Sequence, residues 1–184
     1  SCGILSALKK KGLSLAPFKK GPDYIDPSWL SLASGDVARN LDTYMMGVEN
    51  VRGVFLKYAQ IKDFSLIEGN RGLFDGFDVE GTHSTAELAK LIDAPLIIVL
   101  PVKKITRTAA AFILGCKLFD NRLNIAGVIL NQVGSKRQAD LISQSIEKFT
   151  EIPVLGTIKK LNEQDFFPAR HLGLITPAEY EEFS

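Results

Sequence analysis

Short apolar runs alternating with stretches of helical periodicity constrain this chain more than any other feature. The runs are Leu13 to Phe18, Phe64 to Ile67, Leu96 to Leu100, Ile125 to Leu130 and Val154 to Ile158. Each is nearly continuous in apolar residues, the pattern of a strand buried on both faces. Between them, Ser84 to Ile92, Thr106 to Phe119 and Lys136 to Phe149 read as helices. Strands alternating with helices predict an α/β fold, a doubly wound, mostly parallel sheet with helices on both faces. Ile4, Leu5 and Leu8 recur at helical spacing before three lysines and Gly12, so the chain opens inside a helix. Ser84 with Glu87 is a capping-box pattern, and Thr176, Pro177 and Glu179 read as a further helix start.

With 184 residues, 46% of them hydrophobic, the chain can bury the core of one domain. Its net charge of +1 is spread without long single-sign runs, which argues against a nucleic-acid patch or a polybasic membrane anchor. A bilayer crossing needs about 20 apolar residues, far more than any run here provides. The N-terminus lacks the charged and apolar regions of a signal peptide, so a cytoplasmic location is expected. Cys2 and Cys116 have no metal-type spacing, and Cys116 lies in the apolar stretch Ala109 to Phe119, where a core role is expected.

In open parallel sheets ligands sit beyond the carboxyl ends of the strands. The residues placed there are Lys19 to Pro27, Glu68 to Gly76, Pro101 to Lys104, and Asn131. The first segment packs two carboxylates, two amines and an aromatic ring into a loop stiffened by Gly and Pro. Pro-Asp and Asp-Pro also form ordinary turns, so a functional loop and a plain turn both stay open. In the second, a strand ends in Glu68 and a three-glycine loop carries Asp75. An acid there can hold or orient Mg²⁺, or simply cap the loop. Arg39 can grip an anion in bidentate fashion, with a loop salt bridge as the alternative. His83 and His171 lack spaced partners for a metal site and read as loop-packing histidines.

Lys19 to Pro27, Arg39-Asn40-Leu41-Asp42, Glu68 to Gly76, Ser84-Thr85-Ala86-Glu87-Leu88 and Ala126-Gly127-Val128-Ile129-Leu130-Asn131 occur in this order. Together they resemble cobyrinic acid a,c-diamide synthase. The resemblance runs along the whole chain to Arg170-His171-Leu172-Gly173-Leu174, and its most specific part is Gly21-Pro22-Asp23-Tyr24-Ile25-Asp26-Pro27. It implies a P-loop NTPase architecture of the dethiobiotin synthetase kind. It also implies ATP-dependent amidation of the a and c acetate carboxylates of cobyrinate, or of the related nickel sirohydrochlorin. The carboxylate would be activated as an acyl phosphate and attacked by ammonia from glutamine.

Carried over position by position, the resemblance implies that Glu68 and Asp42 hold Mg²⁺ and that Lys19 faces the phosphates or the reacting carboxylate. Asp23, Tyr24, Asp26 and Asp75 would line the tetrapyrrole side and help ammonia lose its proton. Arg39 would meet an anionic group, and Asn131 would read the adenine edge. The tetrapyrrole is a polyanion, so these acids would work through Mg²⁺, through amide donors or on the nitrogen nucleophile. Dethiobiotin synthetases and the partition or septum-site ATPases share the fold and are the rival readings. They lack the Gly21 to Pro27 string, and the chain shows neither the membrane helix nor the basic face expected of the partition kind.

The chain departs from the family in three places. No segment of residues 1–184 matches G-x-x-x-x-G-K-[ST], so the first strand and the P-loop are expected to be missing and ATP binding to be poor. A sheet lacking a central strand would expose apolar surface and unpaired backbone. Pro101 stands where the family has an Asp, offering neither charge nor amide donor. The synthetase domain is expected over residues 1–174, with 175–184 beginning a linker toward a glutaminase domain in cis, and a homodimer is compatible with the chain. Neither Cys2 nor Cys116 has the setting of that domain's nucleophile.

Overall fold

The computed structural model describes residues 1–161, 169–170, 173–174 and 176–178. The chain forms two compact units, Ser1–Ile92 with Phe167–Ser184, and Asp93–Phe166.

In the first unit, β1 (Leu15–Lys20) lies between β2 (Arg39–Leu41) and β3 (Phe64–Glu68), all parallel. Four helices accompany them: α1 (Cys2–Lys10), α2 (Ile25–Ser34), α3 (Val48–Ala59) and α4 (Thr85–Leu91). The apolar β1 feeds two layers because successive side chains point to opposite faces. Leu15 packs with Leu5 of α1 and Leu30 of α2. Ala16 and Phe18 pack with Leu41, Val51 of α3 and Leu88 of α4. Helices therefore cover both faces of the central strand, as its continuous apolar character requires.

The second unit holds β4 (Leu96–Pro101), β5 (Ile125–Val133) and β6 (Val154–Lys159) in the order β4-β5-β6, again parallel. Its core joins Leu100, Val128 and Leu130 of the strands to Ile113 of α5 (Thr108–Phe119) and Ile142 and Ile146 of α6 (Lys136–Thr150). Cys116 is buried as expected, and burial pushes its thiol above the ordinary value. A short antiparallel pair, β7 (Ala169–Arg170) and β8 (Gly173–Leu174), belongs to the first unit.

The α/β class, the parallel pairing and every expected strand are present. The first strand lies two residues later than its apolar run suggested, because the Ser14 amide is held by the Asp63 carboxylate and Lys19 and Lys20 complete the strand. The expected loop Lys19 to Pro27 is a strand end, a short turn and the first turn of α2. Ser84 caps α4 by accepting from the Glu87 amide at 3.2 Å, while the Glu87 carboxylate pairs with Lys90 instead of closing the box. His171 and Glu179 lie outside the described residues. No described helix is long and apolar enough to cross a membrane. Phe64 on β3 and Ile97 and Val99 on β4 are 43%, 47% and 52% exposed, high for strand residues of this type.

One polar clamp joins the starts of β1 and β3. Asp63 Oδ2 accepts from the Ser14 amide at 2.8 Å and from its hydroxyl at 2.6 Å. The Ser14 hydroxyl and amide hydrogen bonds hold the Asp63 carboxyl below its ordinary 3.8. Such a group binds protons more readily when unfolded, so its stabilisation is present above pH 3.8 and is lost as pH falls through the depressed value. Asp63→Asn should therefore flatten the fall in stability between roughly pH 5 and pH 2, measured by urea unfolding. Parallel pH profiles of the two proteins would refute the clamp.

Candidate functional site

Parallel register sets Lys19 of β1 opposite Glu68 of β3 on one side and Asn40 of β2 on the other. These residues point to one face of the sheet at the carboxyl ends of the strands, where such folds place ligands. Gly21 then turns the chain at φ +85°, a conformation that favours glycine, and donates its amide to the Leu41 carbonyl at 2.9 Å. Asp23 follows, and its Oδ1 accepts from the amides of Ile25 at 3.0 Å and Asp26 at 3.1 Å. The carboxylate thereby supplies the partners that the first amides of α2 lack, and Pro27 in that first turn has no amide to satisfy.

This short turn brings Asp26 back onto the strand. Lys19 Nζ donates to Asp26 Oδ2 at 2.6 Å and to the Gly69 carbonyl at 3.4 Å. Glu68 and Asp23 carboxylate oxygens stand 3.7 and 3.8 Å from the same nitrogen. Lys19 is only 4% exposed. Burial pushes its ammonium down, but the Asp26 hydrogen bond and the charges of Glu68, Asp26 and Asp23 outweigh burial, and the net shift is upward. Lys19 is therefore a fixed cation. Three carboxylates face one ammonium, leaving an excess of negative charge that suits a hard cation or a protonated nitrogen.

Glu68 also accepts from the Ser1 hydroxyl, at Oε1, 3.0 Å away. Asn40 is the site residue that sequence reasoning missed. Its Nδ2 donates to the Asp23 carbonyl at 2.7 Å, while its Oδ1 is buried without a partner among the described residues. An amide in a three-residue strand carries little signal of its own; only the register reveals it.

Most of the other expected residues are held by local contacts of their own. Arg39 lies on the opposite face of β2 from Asn40, its guanidinium 3.5 Å over the Tyr58 ring and donating to the Val37 carbonyl at 2.6 Å. These contacts are a ring stack and a backbone hydrogen bond, neither the anion grip nor the loop salt bridge that its sequence left open. Asp42 Oδ1 accepts from the amides of Tyr44 at 2.8 Å and Met45 at 3.2 Å. Asp75 is exposed and accepts from the Gly72 amide at 3.0 Å. Tyr24 is 80% exposed beside the Asp23 turn. His83 meets the Thr43 hydroxyl at 2.7 Å through Nδ1, a loop-packing role. In the second unit, Asn131 pairs in register with Pro101, and its Oδ1 accepts from the Gln132 amide at 2.9 Å.

Among the described residues no three His, Cys, Asp or Glu side chains form a ready metal cage. Mg²⁺ does not require one, since it keeps several waters and uses one or two carboxylates together with substrate phosphates. The oxygens of Glu68 fit that demand. Asp42 has one oxygen committed to its turn and the other without a described hydrogen bond.

The AAA domain family matches residues 18–165 of this chain. Cobyrinate a,c-diamide synthase of Dehalococcoides mccartyi is 44% identical over 185 residues, covering 100% of this chain and 40% of its own. The protein of that name from Magnetococcus marinus is 45% identical over 177 residues, covering 96% of this chain and 38% of its own. That of Archaeoglobus fulgidus is 40% identical over 183 residues, covering 99% and 40%. The chain thus spans about 40% of the length of the curated relatives it matches. Among solved structures, chloroplast FtsY from Physcomitrella patens superposes with a TM-score of 0.58 at 12% identity, covering 83% of this chain and 52% of that one. Likeness at that identity speaks for the fold alone, the P-loop NTPase architecture expected above. With the matched span exceeding half of its length and its resemblance to cobyrinate a,c-diamide synthases extending from end to end, the chain belongs to the AAA domain family.

Proposed function

We propose that this chain is the nucleotide-using synthetase part of an amide-forming ligase, which converts the a and c acetate carboxylates of cobyrinate into amides. The observation that carries this reading is the convergence of Asp23, Asp26 and Glu68 on the buried Lys19, at adjacent strand ends of a chain 44% identical to a cobyrinate a,c-diamide synthase. Nickel sirohydrochlorin is the close alternative substrate, sharing the tetrapyrrole frame and its acetate arms.

ATP with Mg²⁺ supplies the phosphoryl group that makes a carboxylate electrophilic as an acyl phosphate, and glutamine supplies the ammonia that attacks it. Glu68, with the remaining oxygen of Asp42, would hold Mg²⁺. Lys19 keeps the acids at fixed spacing, and through them acts on whatever cation the site admits. Asp23 and Asp26 would accept the proton that the attacking nitrogen must lose, within a site whose negative charge favours an ammonium over an anion. Asp75 and Tyr24 would border the tetrapyrrole, and Asn131 would read the adenine edge. A glutaminase domain in the same polypeptide, a cytoplasmic setting and a homodimer complete the proposal.

The site assignment is tested in the full-length protein by following amide formation by mass spectrometry with ATP and glutamine present. Asp23→Asn and Glu68→Gln should each lower turnover by about 10²- to 10⁴-fold while circular dichroism stays unchanged. Turnover at wild-type levels in both variants would sink the assignment.

Lys19→Met tests the electrostatic frame. It removes the buried cation and leaves three carboxylates facing one another, which should cost about 1.5–3 kcal/mol at pH 7 in urea unfolding. A raised lysine stabilises fully below its unfolded value of 10.5, and that contribution is lost as pH rises through the higher folded value. The gap between wild type and variant should narrow above that pH; a gap constant with pH would contradict the role of the charge.

A further inference from the structure

Two exposed rings lie on the loops that leave the site. Tyr44 follows β2 by three residues, and Phe77 lies on the loop that leaves β3 at Glu68. Their ring centroids are 5.7 Å apart at an interplanar angle of 20°, so the rings are stacked. His83 meets the Tyr44 ring edge-on at 5.5 Å and 83°. Yet Tyr44 is 67% and Phe77 76% exposed, so much of this aromatic surface faces solvent.

The pair is held by the backbone around it. Asp42 Oδ1 fixes the amide of Tyr44, and the Thr43 hydroxyl fixes His83. The Phe77 amide donates to the Thr82 carbonyl at 2.8 Å, and Asp78 accepts from the Thr82 amide and hydroxyl at 3.0 and 2.8 Å. Gly76 leaves no alternative residue, because a Cβ there would lie 2.3 Å from the Thr82 carbonyl oxygen and 2.4 Å from Gly81. Rings locked in advance lose little freedom on binding, which makes exposed aromatics effective contact surfaces.

We propose that Tyr44 and Phe77, braced by His83, form a stacking ledge for one face of the substrate's flat conjugated macrocycle. The inference rests on the tetrapyrrole reading above and deepens it by naming specificity residues for a large planar substrate. The acid cluster cannot hold a polyanion by charge, and the conjugated ring face is the part of that substrate that offers an apolar π surface in place of carboxylates. Cations border the same loops. Lys20 follows Lys19 on β1, and Arg71 follows Glu68 by three residues; neither makes a side-chain hydrogen bond or ion pair with a described residue. Burial pushes the Lys20 ammonium below its ordinary value, Asp42 counteracts it and the Arg71 charge adds to the lowering. Peripheral carboxylates of a macrocycle seated on the ledge would find these cations as partners.

The test titrates the full-length protein with cobyrinate and with nickel sirohydrochlorin, followed by the absorption of the macrocycle, and separately with ATP. Tyr44→Ala and Phe77→Ala should each raise the macrocycle Kd roughly tenfold. Tyr44→Phe and Phe77→Tyr, which keep the rings, should stay within about threefold of wild type, and ATP affinity should not change in any variant. If the alanine variants bind the macrocycle as the wild type does, the ledge is wrong and the ligase reading survives. If the wild type binds neither macrocycle, both are wrong. An equal loss of ATP affinity in the alanine variants would assign the rings to loop structure and overturn the ledge.

Discussion

A buried ammonium at the end of the middle strand organises the first unit. Lys19 is almost wholly removed from water, and an unpaired charge there would be strongly destabilising. Three elements answer that demand: the end of β3 through Glu68, the turn after β1 through Asp23, and the first turn of α2 through Asp26. The cation therefore does for this unit what a metal does in a small metalloprotein. It draws three separate segments to one point and fixes their spacing.

The same arrangement sets a chemical limit on the site. With its lysine committed, the cluster repels anions, although the proposed substrate and nucleotide are both anionic. In the proposed reading a flat macrocycle would resolve the conflict by dividing its functions between a conjugated ring face and a charged rim. Tyr44, Phe77 and Arg71 lie on the loops that follow β2 and β3, and Lys20 ends β1, so attraction and chemistry would fall to different surfaces.

The strands were legible because their apolar runs are nearly continuous, α6 because its periodicity spans several turns, and α5 because its apolar stretch is too long for a strand. Strand β2 was not, since Arg39–Leu41 is too short to show a period and owes its place to pairing with β1. Helix α3 escaped although Val51, Val54, Phe55 and Tyr58 recur at helical spacing and pack into one core; only Val51 is fully buried, and Gly53 with the exposed Val48 and Leu56 blurs the stripe. At the site, the density of acids around Lys19 was visible in one dimension, but their convergence was not. It depends on the register that sets Lys19 against Glu68 and on the turn that folds Asp26 back. Arg39 shows the reverse case: a residue type suited to anions whose strand face directs it to Tyr58.

Asp23 joins two tasks in one side chain. One oxygen holds the amides of Ile25 and Asp26, and the other faces Lys19. The amide oxygen of asparagine can keep the first task while its neutrality abolishes the second; alanine loses both. Two alleles at a single codon would thus carry different phenotypes: a stable protein that accumulates without product, and one whose helix start is loosened and whose abundance falls with its activity. Genetic screens that score only growth would merge them, whereas protein level read beside growth would tell them apart.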